Sequence, residues 1–257
     1  MIDTVIVFGD SFNYGHGCKD RMLYYDQKTK QMVGNPFTGE LPSEYCWASL
    51  LQNEYPNLIV KNFSVPGISN PEIFRNFFQY HVANTGNEKN TLIFFQMTNP
   101  DRIEMATHSD KKKITSYVLP MADRSIKNYF ELNQDECDQM TEAVRNYIKW
   151  MYHPDIGVNQ AYMTLLSAYG MATLSKFNFI WSIAPYAYTN ANSYKFVTEL
   201  GDLKKCQIMD VRTMDFSGNM NHDFNVSCRA PDNHVNEKGH EIYYNKIIKH
   251  TIQKFLS

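Results

Sequence analysis

The seven residues Thr91-Leu92-Ile93-Phe94-Phe95-Gln96-Met97 show no alternation of apolar and polar side chains. A strand with one wet face alternates with a period of two, so an unbroken run of this length calls for cover on both faces. Helices supply such cover, which makes a mostly parallel sheet the expected centre of the chain. Three further short runs suit the same sheet: Thr4 to Phe8, Leu58 to Phe63 and Phe177 to Ser182. Between them the apolar spacing turns helical. Trp47, Leu50, Leu51 and Tyr55 follow Ser43, read as a helix cap, and Asn70-Pro71-Glu72 opens a helix with Ile73, Phe74, Phe77 and Phe78 on one face. The expected architecture is α/β, a three-layer α/β/α sandwich in a single domain over residues 1–257. At 43% hydrophobic residues the chain can fill one large core.

Four stretches lie outside this simple alternation. Lys19 to Pro42 is polar and carries Gly and Pro, and is expected to be a loop over one face. The segment from about 100 to 175 is too long for a simple crossover. Its helical patterns, Asp135 to Tyr152 and Asp155 to Leu174, suggest an inserted, mainly helical region beside the site. Cys206 to Val211 is a candidate fifth strand. The chain closes with a helix from about Asn236 to Phe255, with Tyr244, Ile248, Ile252 and Phe255 inward.

Several functional classes are disfavoured by composition. The 25 basic and 27 acidic residues leave a net charge of −2, and Lys111-Lys112-Lys113 is a solvated loop on this reading, so no nucleic-acid partner is expected. No apolar run approaches membrane-spanning length, and the N-terminus lacks the basic, apolar and small-residue pattern of a leader. A cytoplasmic protein without a membrane partner is therefore expected. Five cysteines without CxxC spacing read as reduced thiols, and His222 near Asp223 lacks a third ligand, so neither a metal nor another cofactor is expected. The 17 Tyr and 16 Phe are core by default, while Tyr14, Tyr186 and Tyr188 fall near strand ends where a substrate groove would lie. Nothing in the sequence marks an oligomeric state.

Small polar or glycine residues stand just past three of the strands: Ser11 in Gly9-Asp10-Ser11-Phe12, Gly67 in Ser64-Val65-Pro66-Gly67, and Asn99 in Met97-Thr98-Asn99. In a parallel sheet these ends share the carboxyl edge, where ligands bind. His234 precedes the last helix, two residues after Asp232. Taken singly, Gly67 also reads as a turn glycine after Pro66, and Asn99-Pro100 as a common turn dipeptide.

With these blocks in this order over nearly the whole chain, the sequence resembles the SGNH hydrolases, also called GDSL esterases and lipases, whose flavodoxin-like sheet matches the expectation above. The resemblance implies that Ser11 is the nucleophile, His234 the base, and Asp232 the group that orients the imidazole. It also implies an oxyanion hole made of the Ser11 and Gly67 backbone N–H groups and the Asn99 side-chain amide. Two departures stand out. Met97 occupies the family's glycine position and would border the acyl pocket. Asp232 precedes the histidine by two residues, where many members have three, so Asp223 or Asp210 could substitute, or the pair could act as a dyad. Thr98, Arg102 and Glu104 resemble SGNH-like proteins of tailed phages, which admits a virion-associated location. The implied function is serine ester hydrolysis of small acyl esters, among them O-acetyl groups of an acylated glycan. The alternatives are acyl transfer to a sugar hydroxyl and a catalytically weak glycan-binding or virion-structural protein.

Overall fold

Among the described residues, four parallel strands form the sheet that the apolar runs call for. In the computed structural model, which describes residues 1–21, 23–26, 31–34, 41–84, 90–100, 102–106, 114–118, 134–184, 205–206, 228, 230 and 234–257, β1 (Thr4–Phe8) leads into the one-turn helix α1 (Ser11–Tyr14). An antiparallel pair, β2 (Leu23–Asp26) and β3 (Gln31–Gly34), follows where the sequence suggests only a loop. Then come α2 (Trp47–Glu54), β4 (Ile59–Asn62), α3 (Asn70–Ala83) and β5 (Thr91–Met97). A second antiparallel pair, β6 (Arg102–Ala106) and β7 (Ile114–Val118), precedes α4 (Gln134–Trp150), α5 (Pro154–Leu174) and β8 (Asn178–Ile183). The chain ends in α6 (Glu237–Tyr243), a π-helical turn (Tyr244–Ile248) and α7 (Lys249–Leu256).

The sheet order is β4-β1-β5-β8, with Thr4 beside both Ile59 and Thr91, and Phe95 beside Trp181. Neighbouring residues on β5 divide the two helical layers. Phe95 meets Phe77 of α3 edge-on, while Phe94 lies against Trp47 of α2. The α3 and α5 helices cover the first face, and α2 with the C-terminal helix covers the second. All seven residues of β5 are buried, and Phe8, Phe77, Phe94, Phe95, Trp47 and Tyr243 are each at most 1% exposed. Burying a ring of this kind contributes roughly 2–3 kcal/mol, so the rings on both faces hold the three layers together.

Several sequence expectations shift. The cap of α3 is Ser69, whose hydroxyl accepts from the Glu72 N–H (3.2 Å), so Asn70 is the first helical residue. Ser43 caps no helix; its hydroxyl serves the turn before α2 by accepting from the Tyr45 N–H (3.0 Å). In the region from 100 to 175, the described residues include a hairpin as well as the two helices α4 and α5. The hairpin is β6-β7, and α5 packs on β5, β8 and α3 as the crossover between adjacent strands. Of the candidate fifth strand only Cys206 lies within the described residues, and its backbone is helical.

Candidate active site

The carboxyl edge of the sheet is assembled by the residues just beyond β1, β4 and β5. After β1, Asp10 has extended backbone (φ −104°, ψ −156°) and caps α1, accepting from the Phe12 N–H (3.0 Å) through Oδ1. Its other oxygen accepts from the Thr98 hydroxyl (2.6 Å) and lies 3.7 Å from Arg102 Nη1. A fully buried carboxylate needs such partners, and here they tie the ends of β1 and β5 together. Ser11 is thereby the first residue of α1 and is 2% exposed.

The loop leaving α1 runs directly to His234. The His16 N–H donates to the Ser11 carbonyl (2.9 Å), and the His16 ring stacks on the His234 ring with centroids 3.9 Å apart and planes 10° from parallel. Gly17 has φ 103°, and a Cβ there would lie 2.7 Å from both His234 Cβ and the Val235 carbonyl oxygen. Only glycine permits this approach. His234 itself is held in a short closed turn. Its carbonyl accepts from the Ala230 N–H (2.8 Å), and Asn236 caps α6 by accepting from the Gly239 N–H (3.2 Å).

Gly67 occupies the Pro66-Gly67 turn with φ 79°, a left-handed conformation that suits glycine, and a Cβ on it would meet nothing within 4 Å. Gly67 is exposed. The loop around it is strapped down: the Val65 N–H donates to the Gly9 carbonyl (3.1 Å), and Arg102 Nη1 donates to the Ile68 carbonyl (2.8 Å). Ser69 donates to Glu104, which Arg75 grips with both terminal nitrogens (2.9 and 3.0 Å). Beyond β5, Asn70 clamps Thr98 on both sides, accepting from its N–H (2.7 Å) and donating to its carbonyl (3.1 Å). Asn99, the next residue, is half-buried, and its carbonyl accepts from the Arg102 N–H (3.2 Å).

The fold has counterparts among solved structures. The psychrotrophic esterase EstA from Pseudoalteromonas aligns at a TM-score of 0.51 and 13% identity, over 99% of this chain and 98% of its own. A carbohydrate esterase, described as having an active site with divergent catalytic and non-catalytic binding functions, aligns at 0.52 and 12%, over 97% of this chain and 64% of its own. A lipolytic protein of the G-D-S-L family from Desulfitobacterium hafniense aligns at 0.48 and 12%, over 95% of this chain and 96% of its own. The chain has the SGNH hydrolase fold. No family model and no curated protein matches its sequence.

On this SGNH hydrolase fold, the loop of Ser11 meets His234, and Gly67 and Asn99 stand on the same sheet edge. Met97 is 2% exposed and packs in the core, and Tyr14 is 3% exposed. Asp232 and Tyr186 lie outside the described residues, as do Asp210, His222, Asp223 and Tyr188. His240 is fully buried, stacked on Phe12 (5.0 Å between ring centroids), and its Nδ1 accepts from the Trp47 N–H (3.4 Å). Burial pushes its pKa down to about 3, which keeps the accepting nitrogen unprotonated. Burial also pushes the Cys18 thiol up, so it is protonated at neutral pH.

Asp10, His16, Asn70 and Arg102 join the site without having been assigned to it from the sequence. In the sequence Asp10 is marked only by its place inside the Gly-Asp-Ser block, and Arg102 by its place three residues past Asn99 and by the likeness of Thr98, Arg102 and Glu104 noted above. Among the described residues no group of three or more His, Cys, Asp or Glu is placed to hold a metal ion. Nor is any described helix long and apolar enough to cross a membrane.

Proposed function

We propose that this protein is a serine ester hydrolase working through an acyl-enzyme intermediate. The observation that carries the reading is the contact of the Ser11–Cys18 loop with His234, on the sheet edge that also presents Gly67 and Asn99. Ser11 Oγ attacks the ester carbonyl carbon while His234 takes its proton. The tetrahedral oxyanion accepts hydrogen bonds from the Ser11 and Gly67 N–H groups and the Asn99 amide. The C–O bond of the leaving alcohol then breaks, and His234 returns the proton to that oxygen. Water, deprotonated by His234, releases the acid and restores Ser11. Asp232 orients the imidazole. Each oxyanion donor of this kind is worth about 10²–10³ in rate.

Small acyl esters, among them O-acetyl groups of a glycan, are the proposed substrates. The likeness in fold to a carbohydrate esterase agrees with that choice. Hydrolysis of p-nitrophenyl acetate by the wild type, Ser11→Ala and His234→Ala tests the assignment. The reading requires both folded variants to lose at least about a thousandfold in turnover. A wild type no faster than its variants rejects it in favour of glycan binding without turnover, and acylated sugar in excess of free acid would mark a transferase.

A further inference from the structure

The strand that leads to Asn99 runs out of neighbours just before the site. The ladder between β1 and β5 ends at Phe95 and the one between β5 and β8 at Met97, so the fully buried Thr98 lies past both. Buried N–H and C=O groups need partners. One side chain supplies both: the Asn70 carbonyl oxygen accepts from the Thr98 N–H (2.7 Å), and the Asn70 amide nitrogen donates to the Thr98 carbonyl (3.1 Å). A flat amide offers an acceptor and a donor side by side, as a neighbouring strand would. At 2% exposed, Asn70 makes these bonds away from competing solvent.

Asn70 is itself fixed. It is the first residue of α3, three residues past Gly67, and it follows the cap Ser69, which donates to Glu104 in the grip of Arg75. Beyond Thr98, the Asn99 carbonyl accepts from the Arg102 N–H (3.2 Å), and a Cβ on Gly157 of α5 would collide with the Pro100 carbonyl oxygen. The backbone is thus held before and after Asn99, and the amide that holds it before belongs to the segment carrying Gly67.

We propose that Asn70 is a positioning residue for the oxyanion hole: by pairing with both backbone groups of Thr98 it sets the path of the chain out of β5, and with it the place of the Asn99 amide relative to the Gly67 N–H. This role rests on the hydrolase reading proposed above, with Asn99 as a donor. Asn70 touches no reacting atom and acts through Asn99. A donor worth about 10²–10³ in rate keeps that worth only while it points at the developing oxyanion, and a displacement of about 1 Å can cost about a hundredfold. The charge it meets develops during reaction and not in the bound ester, so the loss falls on kcat and not on KM.

A double-mutant cycle on p-nitrophenyl acetate turnover separates positioning from general support. Asn70→Ala is expected to lower kcat by about ten- to a hundredfold while KM changes by less than about twofold. In the Asn99→Ala background the same change is expected to cost less than about twofold, because the donor it places is gone. An equal loss in both backgrounds overturns the role, as does a change confined to KM. If Asn70→Ala fails to fold, Asn70→Ser takes its place, since one hydroxyl is too short to meet both backbone groups of Thr98.

A second measurement does not depend on turnover. The side-chain amide peaks of Asn99 and Asn84, each identified by its loss in the corresponding alanine variant, are followed by nitrogen–proton NMR. Asn84 lies at the other end of α3, where its amide donates to the Tyr80 carbonyl (2.8 Å). In Asn70→Ala the Asn99 peak is expected to shift or broaden while the Asn84 peak stays. An unmoved Asn99 peak, or equal movement of both, overturns the positioning role. The expected pattern in a protein without Ser11-dependent turnover upholds the placing of Asn99 by Asn70 and rejects the hydrolase reading instead.

Discussion

His240 gives the chain a pH-dependent stability that one substitution isolates. Its Nδ1 accepts from the first N–H of α2, whose cap residue Cys46 makes no side-chain cap bond, and its ring is fully buried against Phe12. The folded protein therefore resists protonation down to a pKa of about 3, while the unfolded chain takes up a proton near 6.5. Between these values the unfolded state holds more protons, so stability falls as the pH falls, by about 1.4 kcal/mol per unit. At pH 4.5, two units below the unfolded value, the loss is about 3 kcal/mol; at pH 7.5 it is close to zero. His240→Asn places an amide oxygen near the Nδ1 position and does not titrate. Urea unfolding of both proteins at pH 7.5 and 4.5 measures the effect, since contributions from other groups cancel in the difference. The wild type is expected to lose about 3 kcal/mol relative to the variant on acidification. A difference that stays constant between the two pH values would refute the assignment of a neutral, cap-accepting His240.

Gly17→Ala and Gly67→Ala separate crowding from backbone strain. The first adds a Cβ 2.7 Å from His234 at φ 103°, and should cost about 3 kcal/mol and roughly a hundredfold in turnover. The second places Ala at φ 79° in open space, and should cost about 1 kcal/mol by chemical denaturation. Arg102→Met removes the link from Asp10 to the Gly67 loop and should destabilise by about 3 kcal/mol, with turnover on p-nitrophenyl acetate falling in the same preparation. Thr98→Val leaves a buried oxygen of Asp10 without the hydroxyl that donates to it, and a loss of about 2 kcal/mol in urea unfolding is expected.

What the sequence determined by itself was the layered sheet and the identity of the residues on its edge. The apolar runs at 4–8 and 91–97 are buried on both faces because a period-one apolar pattern leaves no side for water, and Gly9-Asp10-Ser11 follows the first of them. Local rules also located α4 and α5 to within two residues, since helical periodicity is carried by near neighbours. Only the tertiary structure decided how the edge is held. The stacking of His16 on His234, the Asn70 clamp on Thr98 and the reach of Arg102 to Asp10 and Ile68 join residues that are distant in the chain or lack any fixed spacing. The same holds for His240, whose cap on Trp47 spans 193 residues. Backbone periodicity reports which side of an element meets the core. Which polar atoms meet each other there depends on how separate elements pack, and that is set only when the whole chain has closed.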